Sequence, residues 1–118
     1  MKETSNPTTP DAVVDLNPLL RFAEIPWTEI VPGAREKAYQ RDFTTVRLLQ
    51  LSPGFEEPDW CHRQHIGFVL AGTLEIQFVH GIERFHQGDG LAIPAGESAK
   101  HRAIVRDEPV TMFLIDPH

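Results

Sequence analysis

The sequence predicts an all-β protein whose strands form a barrel, with a short N-terminal extension. From Ile25 onward, short β-rich runs are separated by turn residues at the spacing expected for a sandwich or barrel. No helical pattern of apolar residues persists for three turns anywhere in the chain. In the run 66–70 (IGFVL), both alternating sets of residues are apolar, so both faces of that strand need cover. That last feature favours a barrel over a one-sided meander.

Length and composition predict one folded domain. The chain has 118 residues, of which 41% are hydrophobic and 24% charged, as in an ordinary globular protein with a single core. Residues 1–11 are rich in Thr, Ser, Asn and Pro and predict a disordered leader. Residues 12–118 are expected to form the single barrel domain. Residues 11–23 (DAVVDLNPLLRFA) carry Val and Leu and are expected to dock as a short helical turn broken near Pro18.

Charge and cysteine usage exclude some classes of partner. Seventeen acids against eleven bases give a formal net charge of −6, without the basic stripe that a phosphate backbone requires. The first residues contain no apolar segment of a secretory signal, and no run approaches the roughly 18 apolar residues of a membrane span. Cys61 is the single cysteine and cannot form an internal disulfide, as is usual in a reducing compartment. We therefore expect a cytoplasmic protein that binds neither nucleic acid nor membrane.

Nine strands are predicted from the alternation of apolar residues and the position of turn residues. They lie near residues 27–30, 35–39, 44–51, 65–71, 73–79, 82–86, 91–93, 101–105 and 110–115. Three links are too short for parallel crossovers, and each predicts an antiparallel hairpin: Ala71-Gly72, His80-Gly81 and the run 87–90.

The run 88–96 (GDGLAIPAG) has the residues of a turn, a short strand and a chain reversal. Gly88 and Gly90 allow the positive φ of a tight turn, and Pro94 ends the strand because it cannot donate to a β-ladder. The next strand begins near His101. Its side chain can therefore reach the end of the barrel that also receives the segment before Gly72.

Together with His101, the run 88–96 resembles the second conserved motif of the cupin superfamily. Residues 60–72 resemble the first motif, with His65 seven residues before Gly72, where cupins commonly have a glutamate. The resemblance covers roughly residues 44–115. It implies a double-stranded β-helix (jelly-roll) barrel with a metal or small-ligand site at its mouth.

The ligand positions implied by this resemblance differ from the usual family pattern. The two histidines and the glutamate of the first motif are replaced here by Asp59, Cys61 and His65, and Ala99 occupies the last histidine position. His101 lies two residues later, a spacing that returns to the same face of a strand. Cys61, His65 and His101 remain as metal ligands. This N and S set favours zinc, nickel or copper over iron.

Neighbouring residues are weaker candidates for the same site. His62 is a fourth possible ligand, although on a regular strand it would face away from Cys61, and Asp59 is an alternative for completing the shell. Trp60 and His86 are predicted to line the ligand pocket. Structural roles also explain these residue types: Trp60 would pack in the barrel, and Cys61 would act as a small buried hydrophobe.

Two classes of function remain open at this stage. The first is a non-catalytic binding or sensing module for a small molecule; the second is a metal-dependent enzyme of oxygenase, isomerase or lyase type. The sequence favours the first, because no carboxylate occupies the glutamate position and no general base is evident. The serines, Ser5, Ser52 and Ser98, lie in leader or turn contexts, so a serine nucleophile triad is not expected.

A homodimer is expected for two reasons. Small barrels of the family that this chain resembles commonly pair, and the strand 66–70 needs cover on both faces. The alternative is that residues 12–31 cover the second face within one chain.

Overall fold

The computed structural model describes residues 18–117. These residues contain nine β-strands and two short 3-10 turns, joined by loops. The strands are β1 Thr28–Val31, β2 Ala34–Arg41, β3 Thr44–Leu51, β4 His65–Ala71, β5 Leu74–Phe78, β6 Gly81–Phe85, β7 Gly90–Ile93, β8 His101–Val105 and β9 Val110–Pro117. The 3-10 turns are Phe22–Glu24 and Glu97–Ala99. Each of the nine strands expected from the sequence is present, with ends displaced by at most two residues.

The strands form two antiparallel sheets that enclose the core. One sheet has six strands in the order β1-β2-β3-β9-β4-β7, and the other has three in the order β6-β5-β8. The segment 55–61 runs antiparallel beside β8, joined through isolated bridges from Glu56 to Ile104 and from Cys61 to His101. Buried residues from both sheets form one core cluster, which includes Leu51, Val69, Leu74, Ile76, Val105, Val110, Met112 and Leu114. The predicted all-β jelly-roll is confirmed.

Two of the three predicted hairpins are wrong. His80-Gly81 does join the paired strands β5 and β6. Ala71-Gly72 instead leads from β4 in the large sheet to β5 in the small one, and the run 87–90 leads back from β6 to β7. These links are corners between sheets, and a short loop alone does not distinguish a corner from a hairpin. At Gly72, φ is +85° and a Cβ would collide with the carbonyl oxygen of Pro109, so glycine is required there.

The outer face of β4 is only partly covered by the described residues. Val69 points into the core and is fully buried, whereas Ile66, Phe68 and Leu70 on the other face are 43%, 40% and 43% exposed. The sequence predicts that both faces of this strand need cover. Residues 18–117 bury its inner face and leave its outer face partly exposed.

The N-terminal segment covers another part of the same outer face. The Phe22 ring lies edge-on to Tyr39 and to Phe113, with centroid distances of 5.5 and 6.3 Å. Lys37 donates a hydrogen bond from Nζ to the carbonyl oxygen of Phe22. The predicted docking of this segment therefore holds for its described end, as a 3-10 turn, while the predicted leader at residues 1–11 lies outside the described residues.

Within residues 18–117, neither helical turn has the length or apolar character of a membrane-crossing helix.

Candidate metal centre

Cys61, His65 and His101 meet at one end of the barrel. The Sγ of Cys61 and one ring nitrogen from each histidine all lie within 4.8 Å of one another. His65 is the first residue of β4 and His101 the first of β8, so the two sheets each supply one imidazole. Cys61 faces His101 across a backbone bridge, in which the N–H of each residue donates to the carbonyl oxygen of the other at 2.8 and 3.0 Å. The sequence-predicted ligand trio is thus brought together by backbone pairing.

A buried carboxylate fixes the orientation of His65. Pairing of Ile66 with Ile115 places the adjacent His65 and Asp116 side by side on the inner face of β4 and β9. The Nδ1 of His65 donates to Oδ1 of Asp116 at 2.9 Å, and Asp116 is only 2% exposed. Nε2 of His65 therefore faces Cys61. A carboxylate behind a ligand histidine is a frequent arrangement in metal sites, because it sets the tautomer and the ring direction.

Asp116 is in turn held by Arg47 on β3. The Nε of Arg47 donates to Oδ2 of Asp116 at 2.6 Å, and its Nη1 donates to Oε1 of Glu36 at 3.0 Å. Although burial alone raises the pKa of Asp116, the hydrogen bond from His65 and the charge of Arg47 hold it below its usual range. The carboxylate is therefore ionised and available to orient His65.

Cys61 and His65 shift each other's pKa toward the charged forms, the thiolate and the imidazolium. Interaction with His101 and then with His65 lowers the pKa of Cys61 to about 5, against the opposing effect of burial. Burial lowers the pKa of His65, but hydrogen bonds with Asp116 and Cys61 outweigh it and raise the pKa to about 9. The Nε2–H of His65 donates to the Sγ of Cys61 at 3.5 Å.

His101 presents a buried nitrogen with no partner among the described residues. Its Nδ1 donates to the carbonyl oxygen of Ala99 at 3.0 Å, which assigns the hydrogen to Nδ1 because a carbonyl can only accept. Nε2 is buried without a hydrogen-bond partner among the described residues, and the Sγ of Cys61 lies within 4.8 Å of the ligand nitrogen of His101. A buried polar nitrogen left without a partner is costly, and coordination to a metal ion would satisfy it.

The donor set fits a divalent transition metal. A thiolate and two imidazoles are ligands that zinc binds readily, and three protein ligands leave a fourth position open. The orphaned Nε2 of His101 and the orientation of His65 by Asp116 are observations independent of any likeness to other proteins.

The trio lies in the wall of a cavity of about 580 Å³. Most of the lining is apolar, from both sheets, and the polar groups gather at the end that holds Cys61, His65 and His101. Trp60 also lines the cavity, as the sequence predicts, with Lys100 and Arg102 over its ring at 5.3 and 5.8 Å. This size is typical of small-molecule pockets.

Glu57 adds a carboxyl group that the sequence does not predict in the site. Its acidic neighbours suggest a solvated loop, yet Glu57 lines the cavity and is half-buried. Its Oε1 accepts a hydrogen bond from the backbone N–H of Ala103 at 2.9 Å, which draws the side chain inward. Burial raises the pKa of Glu57, and the negative charge of Cys61 adds to this effect.

Three other sequence candidates lie outside the ligand trio. His62 lines the cavity but is exposed, its Nε2 contacts Oε1 of Glu97 at 2.9 Å, and it is not one of the three clustered donors. Asp59 lines the cavity but is exposed and does not join the trio. In contrast to the expectation for the pocket, His86 is not among the cavity-lining residues: it follows β6 in the link to β7 and is exposed, with Nδ1 3.7 Å from Oδ2 of Asp89.

Comparison with known proteins gives matches in structure alone. No known family's sequence profile matches the chain, and no curated protein is similar to it at a significant level. A sugar phosphate isomerase from a cupin superfamily, from Silicibacter pomeroyi, superposes with a TM-score of 0.73 at 20% identity, covering 86% of this chain and 76% of that one. The polyketide cyclase RemF from Streptomyces resistomycificus gives 0.72 at 18% identity, with coverages of 84% and 78%. An RmlC-like cupin from Shewanella frigidimarina gives 0.71 at 12% identity, with coverages of 86% and 92%.

These likenesses show that the chain has the cupin fold, in agreement with the resemblance of its two motifs. The structural neighbours include enzymes of different kinds, among them an isomerase, a cyclase and an oxalate decarboxylase. Fold alone therefore does not assign a reaction to this chain.

Proposed function

We propose that this protein binds one divalent transition metal through Cys61, His65 and His101 and presents its open coordination position to a small molecule in the barrel. The observation that carries the proposal is the convergence of three donor atoms within 4.8 Å, one of them the unpartnered Nε2 of His101. When bound, such a metal supplies a Lewis acid that can hold and polarise an oxygen atom of the ligand.

The donor set favours zinc, nickel or copper over iron. Sulfur and imidazole ligands suit these borderline and softer ions, whereas the carboxylate-containing set of non-haem iron sites is absent from the described trio. A reduced thiolate ligand also agrees with a reducing compartment, and we place the protein in the cytoplasm on that basis.

Metal content of tag-free protein tests the proposal. We expect near one equivalent of a first-row metal, reduced to trace levels in Cys61→Ala, His65→Ala and His101→Ala. His62→Ala is the matched control, since its imidazole lies outside the trio, and it should keep the metal. Equal metal content in all four variants, or none in the parent protein, would contradict the proposal.

A second candidate, a metal-dependent enzyme, is favoured by one observation. Glu57 places a carboxyl group of raised pKa in the same cavity, where it can hold or accept a proton beside a bound molecule. Catalysis requires an exchangeable ligand at the metal. Cobalt-substituted protein titrated with azide tests the open position that both candidates need: a change in the visible spectrum supports it, and an unchanged spectrum indicates a closed site and contradicts both.

We further propose that the protein is a homodimer joined through the outer face of the six-stranded sheet. Ile66, Phe68, Leu70 and Ile115 form a contiguous apolar patch there and are each at least 37% exposed. Phe22 packs on Tyr39 and Phe113, so the described N-terminal segment leaves this patch open. Contiguous exposed apolar surface of this kind is typical of a protein–protein interface.

A further inference from the structure

We propose that the natural ligand is an amphipathic molecule with an alkyl or aryl-alkyl body and a single anionic oxygen head group, of the class of medium-chain carboxylates. The position of the head group rests on the proposed metal function; the nature of the body rests on the cavity alone.

Away from the ligand trio, the cavity is lined by apolar side chains from both sheets. Leu74 and Ile76 from β5 face Leu91 and Ile93 from β7 and Met112 and Leu114 from β9 around it. A polyhydroxylated ligand would lose water from each hydroxyl without gaining a partner in this part of the cavity, and each unpaired polar group is costly. An alkyl or aryl body gains free energy from the same transfer.

The polar end suits one anionic head group and lacks the cations that a phosphate ester requires. Arg47 is the cation in the inner wall, and both of its contacts are occupied, by Asp116 and Glu36. Arg63 also lines the cavity but is exposed at its mouth. A dication bound by one thiolate retains a single positive charge, which matches one carboxylate.

Glu57 lines the cavity together with the ligand trio and adds a polar group to this end. Its Oε1 accepts a hydrogen bond from the Ala103 N–H, which holds the carboxyl group in the cavity wall at the polar end. The cavity thus has one polar end and one apolar body, in the arrangement of an amphipathic ligand.

Calorimetric titration with butanoate, hexanoate, octanoate and glucose 6-phosphate tests the inference, on zinc-loaded and on chelator-treated protein. We expect affinity to rise roughly fifteenfold for each two-carbon extension that stays in the cavity, because about 0.8 kcal/mol accompanies each buried methylene. Glucose 6-phosphate should bind more weakly than octanoate. A flat chain-length series, or tighter binding of the sugar phosphate, would overturn the inference.

Three variants locate the binding. Ala103 lines the cavity beside Ile76, its partner on the neighbouring strand, so Ala103→Phe, or the milder Ala103→Leu if the first does not fold, should abolish the rise in affinity with chain length. Ala92→Phe is the matched control on an exposed position of β7 and should keep it. Phe68→Ser alters the exposed outer patch and should also keep it. If Phe68→Ser abolishes the rise in affinity with chain length, or if folded Ala103 variants keep it, the ligand binds elsewhere and the inference is overturned.

The two preparations separate this inference from the proposed function. A chain-length gain without any zinc binding contradicts the metal centre and supports the apolar cavity. Zinc binding with no chain-length gain supports the metal centre and contradicts the ligand class.

Discussion

Asp116 and His65 lie side by side across β9 and β4, with 2.9 Å between Oδ1 and Nδ1, and this contact directs Nε2 of His65 toward Cys61. The two residues are 51 positions apart in the chain. Their proximity follows from the register that pairs Ile66 with Ile115.

The first prediction concerns Asp116 as a positioning residue. Asp116→Asn should weaken metal binding by roughly 10–100-fold, because the partner behind a ligand histidine fixes its ring and raises its basicity. Stoichiometry at saturating metal should be unchanged. Competition with a chromophoric chelator measures the affinity.

Glu36→Gln is the control for this variant. Glu36 shares Arg47 with Asp116 but does not contact His65, so its loss disturbs the same ion pair without touching a ligand. We expect near-parental metal affinity in Glu36→Gln. Equal weakening in both variants would show that Asp116 acts through stability and not through His65.

The sequence predicts the strands well because their signals are local. Alternation and turn residues define all nine, from β1 to β9. Whether a short link forms a hairpin or a corner depends on which sheet receives the next strand. The corner at Gly72 is decided by packing against Pro109, 37 residues later, so no local pattern reveals it.

The ligand trio could be predicted from motif spacing, and its supporting residues could not. Arg47 and Asp116 come from strands outside both motifs, and their contacts with the site depend on register across the large sheet. One signal was available: Asp116 continues the inward set Val110, Met112 and Leu114, and a charged residue in such a set indicates a buried partner. Glu57 had no comparable signal, because its inward turn follows from a hydrogen bond to Ala103.

A second prediction concerns close packing between β4 and β9. A Cβ on Gly67 would lie 2.6 Å from Cδ2 of Leu114 and closer still to the carbonyl oxygen of Phe113. Gly67→Ala should therefore lower the free energy of unfolding by about 1–3 kcal/mol, as overpacking does in protein cores. Gly90→Ala on β7 is the control, since its nearest contact would be at an ordinary 3.6 Å. Similar denaturant midpoints for both variants would contradict this packing.

A third prediction concerns the pH dependence of stability. Hydrogen bonds from Arg106, and then from Arg84, hold the pKa of Glu75 below its ordinary value. A carboxyl whose pKa is lower in the folded than in the unfolded protein stabilises the fold at pH values above its unfolded-state pKa. This stabilisation is lost as the pH falls through the folded-state pKa. Glu75→Gln should therefore be less stable than the parent at neutral pH.

The difference between Glu75→Gln and the parent should shrink as the pH falls below about 4. Added salt should reduce it as well, since both arginines are more than half exposed. Urea unfolding at several pH values measures the effect, and the exposed Glu83→Gln serves as the reference substitution. A difference that is independent of pH would assign the effect of Glu75 to packing.

A fourth prediction tests the proposed dimer. Phe68→Ser removes an aromatic ring from the centre of the outer apolar patch and should convert the dimer to a monomer in light scattering. Ile82→Ser is the control, because Ile82 is an exposed apolar residue on the small sheet. A monomeric parent protein, or a Phe68→Ser variant that remains dimeric, would contradict this interface.

X-ray absorption at the zinc edge is the measurement that addresses the central claim most directly. The three-ligand centre predicts one sulfur at about 2.3 Å and two imidazole nitrogens at about 2.0–2.1 Å, with the sulfur contribution lost in Cys61→Ser. A shell of oxygen and nitrogen alone in the parent protein, or a sulfur contribution that survives in Cys61→Ser, would contradict it.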